Sequence, residues 1–401
     1  MKTETIRKYA VTLICCAAAI AATFLVHTLI RGKNSEKIVK VGYVYVGDLC
    51  DAYTSNFAKA QREIEKVFGE KTQSVVKYSV PEESVETALN ELVGEGCELI
   101  FTTSYGYGEK TKEIAALHPE VQFCQATCSN ANSEPFLSNY HTFMGSIHEG
   151  RYICGVVAGM KLDELIKAGK ITPAQAKIGY IAAFPYAEVI SGYTSFFLGV
   201  RSVVPEATMT VEYTNSWSNY RVEKAIAEEL ITEGCVIISQ HSDTSGPAAA
   251  CEETDRSKIV YYVSYNESMR DIAPTTYLTG SKINWIPYMT KAVEAVLNEK
   301  KIESCIAGNV NGNDIGSGFE NDWVQILEIN EFTVAAGTQE KVDELTDDFR
   351  NGRITVFKGD YTGVNPFDPS DTIDLKEGYM EAEKGSAPSF NYVLDDVITV
   401  K

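Results

Sequence analysis

The sequence predicts an α/β protein built as two doubly wound parallel-sheet lobes. Three observations carry this reading. Short apolar runs alternate with amphipathic stretches from Val39 to Gln125. The same alternation restarts at Lys177 and continues to Tyr262. Four of the apolar runs stop in clusters of aromatic, hydroxyl, amide and acidic residues: Val41–Val46 runs into 47–53, Leu99–Phe101 into 102–107, Ile178–Ile181 into 182–186, and Val236–Ile238 into 239–243. A βαβ order implies parallel strands with right-handed crossovers. In open sheets of that kind a ligand sits beyond the carboxyl ends of the strands.

The elements follow in order. Val39–Val46 reads as a buried strand. Phe57, Ala60, Ile64, Val67 and Phe68 make Ser55–Phe68 a helix by their spacing. Val75–Val80 is a strand stopped by Pro81. Ser84–Gly94 is a helix, preceded by the proline and acids that suit a helix start. Glu98–Phe101, the helix Glu109–Leu117 and the strand Val121–Gln125 complete the first series. A long helix, Gly145–Asp163, carries Gly150, Gly155, Ala158 and Gly159, which suit close packing. The second series is the strand Lys177–Ala182, the helix Glu188–Val203, the strand Met209–Tyr213, the helix Arg221–Gly234, and the strands Val236–Ser239 and Ile259–Tyr262. Beyond Tyr277 the chain crosses back, with a helix at Trp285–Leu297 and strands at Asp322–Ile329 and Arg353–Phe357. The expected division is 1–37 as anchor or signal and linker, 38–160 as lobe one completed by about 270–310, and 161–269 as lobe two completed by about 311–358. The tail, 359–401, is rich in Gly, Pro and Asp and is expected to lie over the surface.

A net charge of −19 argues against nucleic acid, whose phosphates require clustered Lys and Arg. Tyr9–Ile30 holds no Asp, Glu, Lys or Arg, and as a helix it would rise roughly 33 Å, about the thickness of a bilayer core. It reads as a signal peptide or a retained anchor, and an extracytoplasmic domain tethered to the membrane is expected. The poor fit of Leu13-Ile14-Cys15-Cys16 to a lipidation site leaves the mode of attachment open. Eight further cysteines are scattered without paired zinc spacing, and at most one disulfide is expected.

Gly145-Ser146-Ile147-His148-Glu149-Gly150-Arg151-Tyr152, followed by Val156-Val157-Ala158-Gly159, resembles the signature of the basic membrane protein family. Ile178–Trp217, Gln240–Asp243, Ser264–Asn266 and 284–288 extend the resemblance to nearly the whole chain after Val39. That family comprises extracytoplasmic substrate-binding proteins of ABC transporters that take purines and nucleosides. The resemblance implies a type I periplasmic-binding-protein fold: two α/β lobes, three hinge crossovers, and a ligand closed between them. It implies a purine held between aromatic rings, with an Asp or Asn on its polar edge or ribose. The matched positions are Asp51, Tyr53, Ser104 and Tyr105 in lobe one, and Phe184, Trp217, His241, Asp243 and Asn266 in lobe two. The first loop is shorter than the family's Asp-x-Gly-Trp form, which leaves Tyr53 or Phe57 as its ring. Asn266 stands where the family often has an acid.

Each candidate also has a plainer reading. Trp217 lies in a polar loop, where stacking on a base contributes about 1–3 kcal/mol and is the expected role; the plainer reading is packing beneath that loop. His241 and Asp243, two apart at a strand end, point to one side. No Gly-x-Ser-x-Gly elbow accompanies them, so ligand hydrogen bonding is expected rather than catalysis. Gly106 and Gly108 lack the lysine motif of a phosphate loop. Glu149 and Arg151 are expected to form a structural ion pair. The expected function is capture of a purine base or nucleoside and its delivery to an ABC permease by a monomer, with no enzyme activity, metal or cofactor. The alternative is a ligand sensor signalling in trans through a membrane partner.

Overall fold

A computed structural model describes residues 37–381, 383 and 385–401. The apolar segment expected to be the anchor lies outside the described residues. Among the described residues no helix is long and apolar enough to cross a membrane.

In chain order, β1 (Val39–Val44), β2 (Thr72–Lys77), β3 (Leu99–Thr102), β4 (Gln122–Ala126) and β5 (Tyr140–Gly145) build a first sheet. β6 (Lys177–Ala182), β7 (Thr208–Tyr213), β8 (Ile237–Gln240), β9 (Tyr261–Tyr265) and β10 (Tyr277–Ile283) build a second. The chain returns to the first sheet for β11 (Asn309–Asn311) and β12 (Asp314–Ser317), then to the second for β13 (Val324–Ile326). The orders are β11-β12-β5-β4-β3-β1-β2 and β13-β10-β9-β8-β6-β7-β17, the last strand, β17 (Ile398–Val400), coming from the tail. Only the edge strands β11 and β13 pair antiparallel within them. Three passages of the chain therefore join two doubly wound sheets: β5 to β6, β10 to β11, and β12 to β13.

The allocation of strands differs from that expected. β10, within the stretch expected to complete lobe one, belongs to the second sheet, while β12 belongs to the first. The helix Ile147–Lys167 packs on the helix Ala187–Arg201 and on β10, so it sides with the second lobe. That packing is close because a Cβ at Gly155 would collide with the Phe196 carbonyl, and one at Gly199 with that of Tyr152.

The tail is not a surface cover. β14 (Thr362–Asn365), β15 (Asp368–Asp374) and β16 (Val393–Leu394) form a small sheet, and β17 (Ile398–Val400) extends the second sheet beside β7. Phe390 is fully buried and stacks on Phe357 with centroids 4.1 Å apart. Between these elements the tail reaches the first lobe, where the Ser386 amide donates to Asp314 Oδ2 at 2.7 Å and the Ala387 amide to Ser129 Oγ at 2.7 Å. Arg353–Phe357 is not a strand; Phe357 makes an isolated bridge to Tyr379. The eight described cysteines are all free.

Candidate functional site

The loops after β1, β3 and β4 face the loops after β6, β7, β8 and β9, so the carboxyl ends of both sheets converge on one gap. The lobes meet there. The Ala52 amide donates to the Asp243 carbonyl at 3.0 Å, Asn56 Nδ2 donates to the Ile283 carbonyl at 2.8 Å, and Lys59 pairs with Glu267. A void remains between the lobes, about 360 Å³ when space open to solvent is counted. Lobe one lines it with Val46, Tyr53, Ser104, Tyr105 and Thr127; lobe two lines it with Glu188, Trp217, His241, Asp243 and Tyr265.

The aromatic walls are placed by their neighbours. The Tyr53 hydroxyl donates to the Thr103 carbonyl at 2.6 Å, which fixes its ring at the cavity edge. Phe57 is used otherwise: it is fully buried and stacks on Trp285 at 4.2 Å. On the other lobe Phe184 meets Trp217 edge-on at 5.1 Å and stacks on Tyr186 at 5.3 Å. Tyr186 in turn lies 5.2 Å from Tyr105, so one ring from each lobe closes the lip.

A buried chain of polar groups sets His241. Arg151 Nη1 donates to the Gln240 carbonyl at 3.0 Å, and its Nη2 lies 3.3 Å from His241 Nδ1. A guanidinium can only donate, so Nδ1 accepts and Nε2 carries the proton, aimed at Glu188 Oε1 3.4 Å away. Burial holds the His241 pKa down despite that carboxylate. The guanidinium also lies 3.5 Å from the centroid of the Tyr265 ring. Arg151 thus positions lobe-two groups and does not pair with Glu149, contrary to expectation. Glu149 instead accepts the Phe319 amide at 3.0 Å, and burial pushes its pKa up to about 8.

The acids are crowded. Asp51 caps the helix Ala52–Phe68 by accepting the Thr54 amide at 2.9 Å. Burial raises its pKa to about 6 against the effect of that bond. Burial, then the charges of Asp51 and Glu223, push Asp243 well above the usual carboxylate range. Asn266 Nδ2 lies 3.4 Å from Asp243 Oδ1, while Asn266 Oδ1 is buried without a partner. Ser104 Oγ donates to Glu82 Oε1 at 2.5 Å.

Of the nine residues expected at the site, Tyr53, Ser104, Tyr105, Trp217, His241 and Asp243 share the cavity wall. Asp51 and Phe184 line the adjoining mouth with Trp217, and Asn266 stands behind Asp243. Sequence reasoning missed Glu188, Tyr265 and Thr127. Glu188 sits in the first turn of a helix, where an acid is ordinary. Tyr265 directly precedes Asn266 at the end of β9, which was the available signal.

Among the described residues of this wall, no serine or cysteine is hydrogen-bonded to His241. Ser104 is spent on Glu82, and His241 holds its proton toward Glu188. The arrangement binds flat, hydrogen-bonding molecules. Two lobes closed over such a cavity define a two-lobed binding protein. The chain belongs to the Bmp family, described as ABC transporter substrate-binding protein PnrA-like, whose family model matches residues 38–346. Members of that family bind substrates for transporters and are not enzymes.

A purine-binding protein of Brucella abortus (strain 2308) is 32% identical over 267 residues, 66% of this chain and 71% of that protein. A Haloferax volcanii protein named for glucose binding in an ABC transporter is 25% identical over 361 residues, 89% of this chain and 83% of that one. Among solved structures, an ABC transporter solute-binding protein from Aeropyrum pernix K1 superposes with a TM-score of 0.66 at 15% identity, covering 79% of this chain and 92% of that one. The fold is the type I periplasmic-binding-protein fold.

Proposed function

We propose that this protein captures a purine base or nucleoside between its lobes at the extracytoplasmic face of the membrane and passes it to an ABC permease. The observation that carries this is the aromatic cavity itself: Trp217, Tyr53, Tyr105 and Tyr265 surround a slot whose polar groups are His241, Glu188 and Asp243. A planar heterocycle would offer its faces to the rings and its edge to these groups. The relative named for purine binding supports this ring class over a sugar. In this reading Tyr53 and Trp217 supply stacking faces, with Phe184 behind Trp217. Asp243, oriented by Asn266, and Ser104 take polar edges. Asp51 holds the first loop. Closure is favoured by ligand because the wall is complete only when the lobes meet. The segment Tyr9–Ile30 tethers the binding domain to the membrane. Calorimetry against adenine, adenosine, guanosine, inosine and glucose tests the reading. At least one purine ligand should bind with micromolar or tighter affinity, and binding of glucose alone would overturn it.

A further inference from the structure

The cavity opens on one flank into a mouth of about 690 Å³, where Asp48, Asp51, Glu82 and Glu83 stand beside Trp217, and no Lys, Arg or His lines it. Inside, the wall adds Glu188. Among the described residues, the four mouth acids and Asp243 form no ion pair; Glu188 has only the neutral ring of His241. Arg151 is not a counter-charge for the mouth, since it lies behind the Tyr265 ring and is spent on Gln240 and His241. A second observation marks the cavity as a place for a ligand: Tyr265 lines it, is 3% exposed, and its hydroxyl has no partner.

We propose that this cleft is a charge filter: it admits neutral or cationic heterocycles and turns away phosphorylated or otherwise anionic ones, with Asp48, Glu82 and Glu83 as the specificity-determining rim. Like charges along a low-dielectric channel focus a negative potential, and such fields change association rates by roughly 10- to 1,000-fold. The ring faces act in the same direction, because a π-face attracts cations and repels anions. The bound ligand is therefore a base or an unphosphorylated nucleoside. The ring class rests on the purine reading above; the charge preference rests on the acids alone.

Two measurements on the full chain separate these claims. The protein has three tryptophans, and Trp285 and Trp323 are buried, so a dissolved quencher reaches Trp217 at the mouth. In ligand-free protein, caesium should quench it several-fold better than iodide, relative to the ratio for free tryptophan amide. The double variant Asp48→Asn, Glu83→Gln, both exposed, should bring that ratio back toward the free value. Iodide quenching as well as caesium in the unmodified protein overturns the proposal. Stopped-flow association is then compared for adenosine, 5′-amino-5′-deoxyadenosine and adenosine 5′-monophosphate. The monophosphate should associate at least about tenfold more slowly than adenosine at low salt. The gap should narrow as added salt screens the mouth. Equal rates for adenosine and its monophosphate contradict the filter. If none of the three binds, the purine reading fails, while the quenching ratio still decides the charge preference.

Discussion

Replacing Trp217 by alanine is the sharpest perturbation of the cavity. The indole meets Phe184 at 5.1 Å and Tyr186 at 6.0 Å and lines the void. Its backbone carbonyl, which accepts the Asp243 amide at 2.9 Å, survives the substitution, so the loop and Asp243 keep their places. What is lost is one stacking face. Base–aromatic stacking is worth about 1–3 kcal/mol, which corresponds to a dissociation constant raised about 5- to 150-fold. Titration calorimetry with adenosine, on proteins whose melting curves match to within a few degrees, reads this directly. A Kd within twofold of the unmodified protein would remove Trp217 from the ligand's surroundings and refute the sandwich argument.

Three further outcomes are expected. Tyr265→Phe removes a hydroxyl that has no partner in the ligand-free protein, so stability should hold, while ligand affinity should fall about 2- to 13-fold if the hydroxyl bonds the ligand at about 0.5–1.5 kcal/mol. Glu149 binds its proton more tightly folded than unfolded, with a folded pKa of about 8, so the stability it contributes is lost as pH rises toward that value. His148 and His241, whose folded pKa values are lowered, titrate mainly in the unfolded chain, and their contribution is common to both proteins. Between pH 6.5 and 8 melts of Glu149→Gln should therefore lack a falling slope of up to about 1.4 kcal/mol per pH unit that the unmodified protein shows; an unchanged slope counts against the assignment. Phe390→Ala empties a fully buried site in the tail, should cost about 3–5 kcal/mol, and should lower the melting temperature by several degrees; no change would mean the tail contributes nothing to the folded lobes.

Much of the fold could be read from local pattern. Lys177–Ala182 has the same bounds in sequence and structure because its apolar run is bounded by Ala176 and by the polar and aromatic turn after Ala182. β5 escaped notice because His141 and Thr142 interrupt its apolar residues; both are buried, but their partners Glu303 and Asp314 arrive from far along the chain. The helix Gly246–Glu253 escaped because its Gly-Pro start reads as a turn, although proline is welcome in a first helical turn. β17 is legible only once the exposed edge of β7 is known to need a partner. At the site, the residues flanking strand ends were visible as clusters. Arg151 was not, because its role depends on a helix–sheet contact that places it under His241 and Tyr265, and no local spacing encodes that contact.

The account rests on a flat heterocycle occupying the aromatic slot. Mass spectrometry of the small molecule released when freshly purified protein is denatured tests this most directly. A purine base or unphosphorylated nucleoside in near-stoichiometric amount is the predicted result. A hexose or a nucleotide in its place would contradict it.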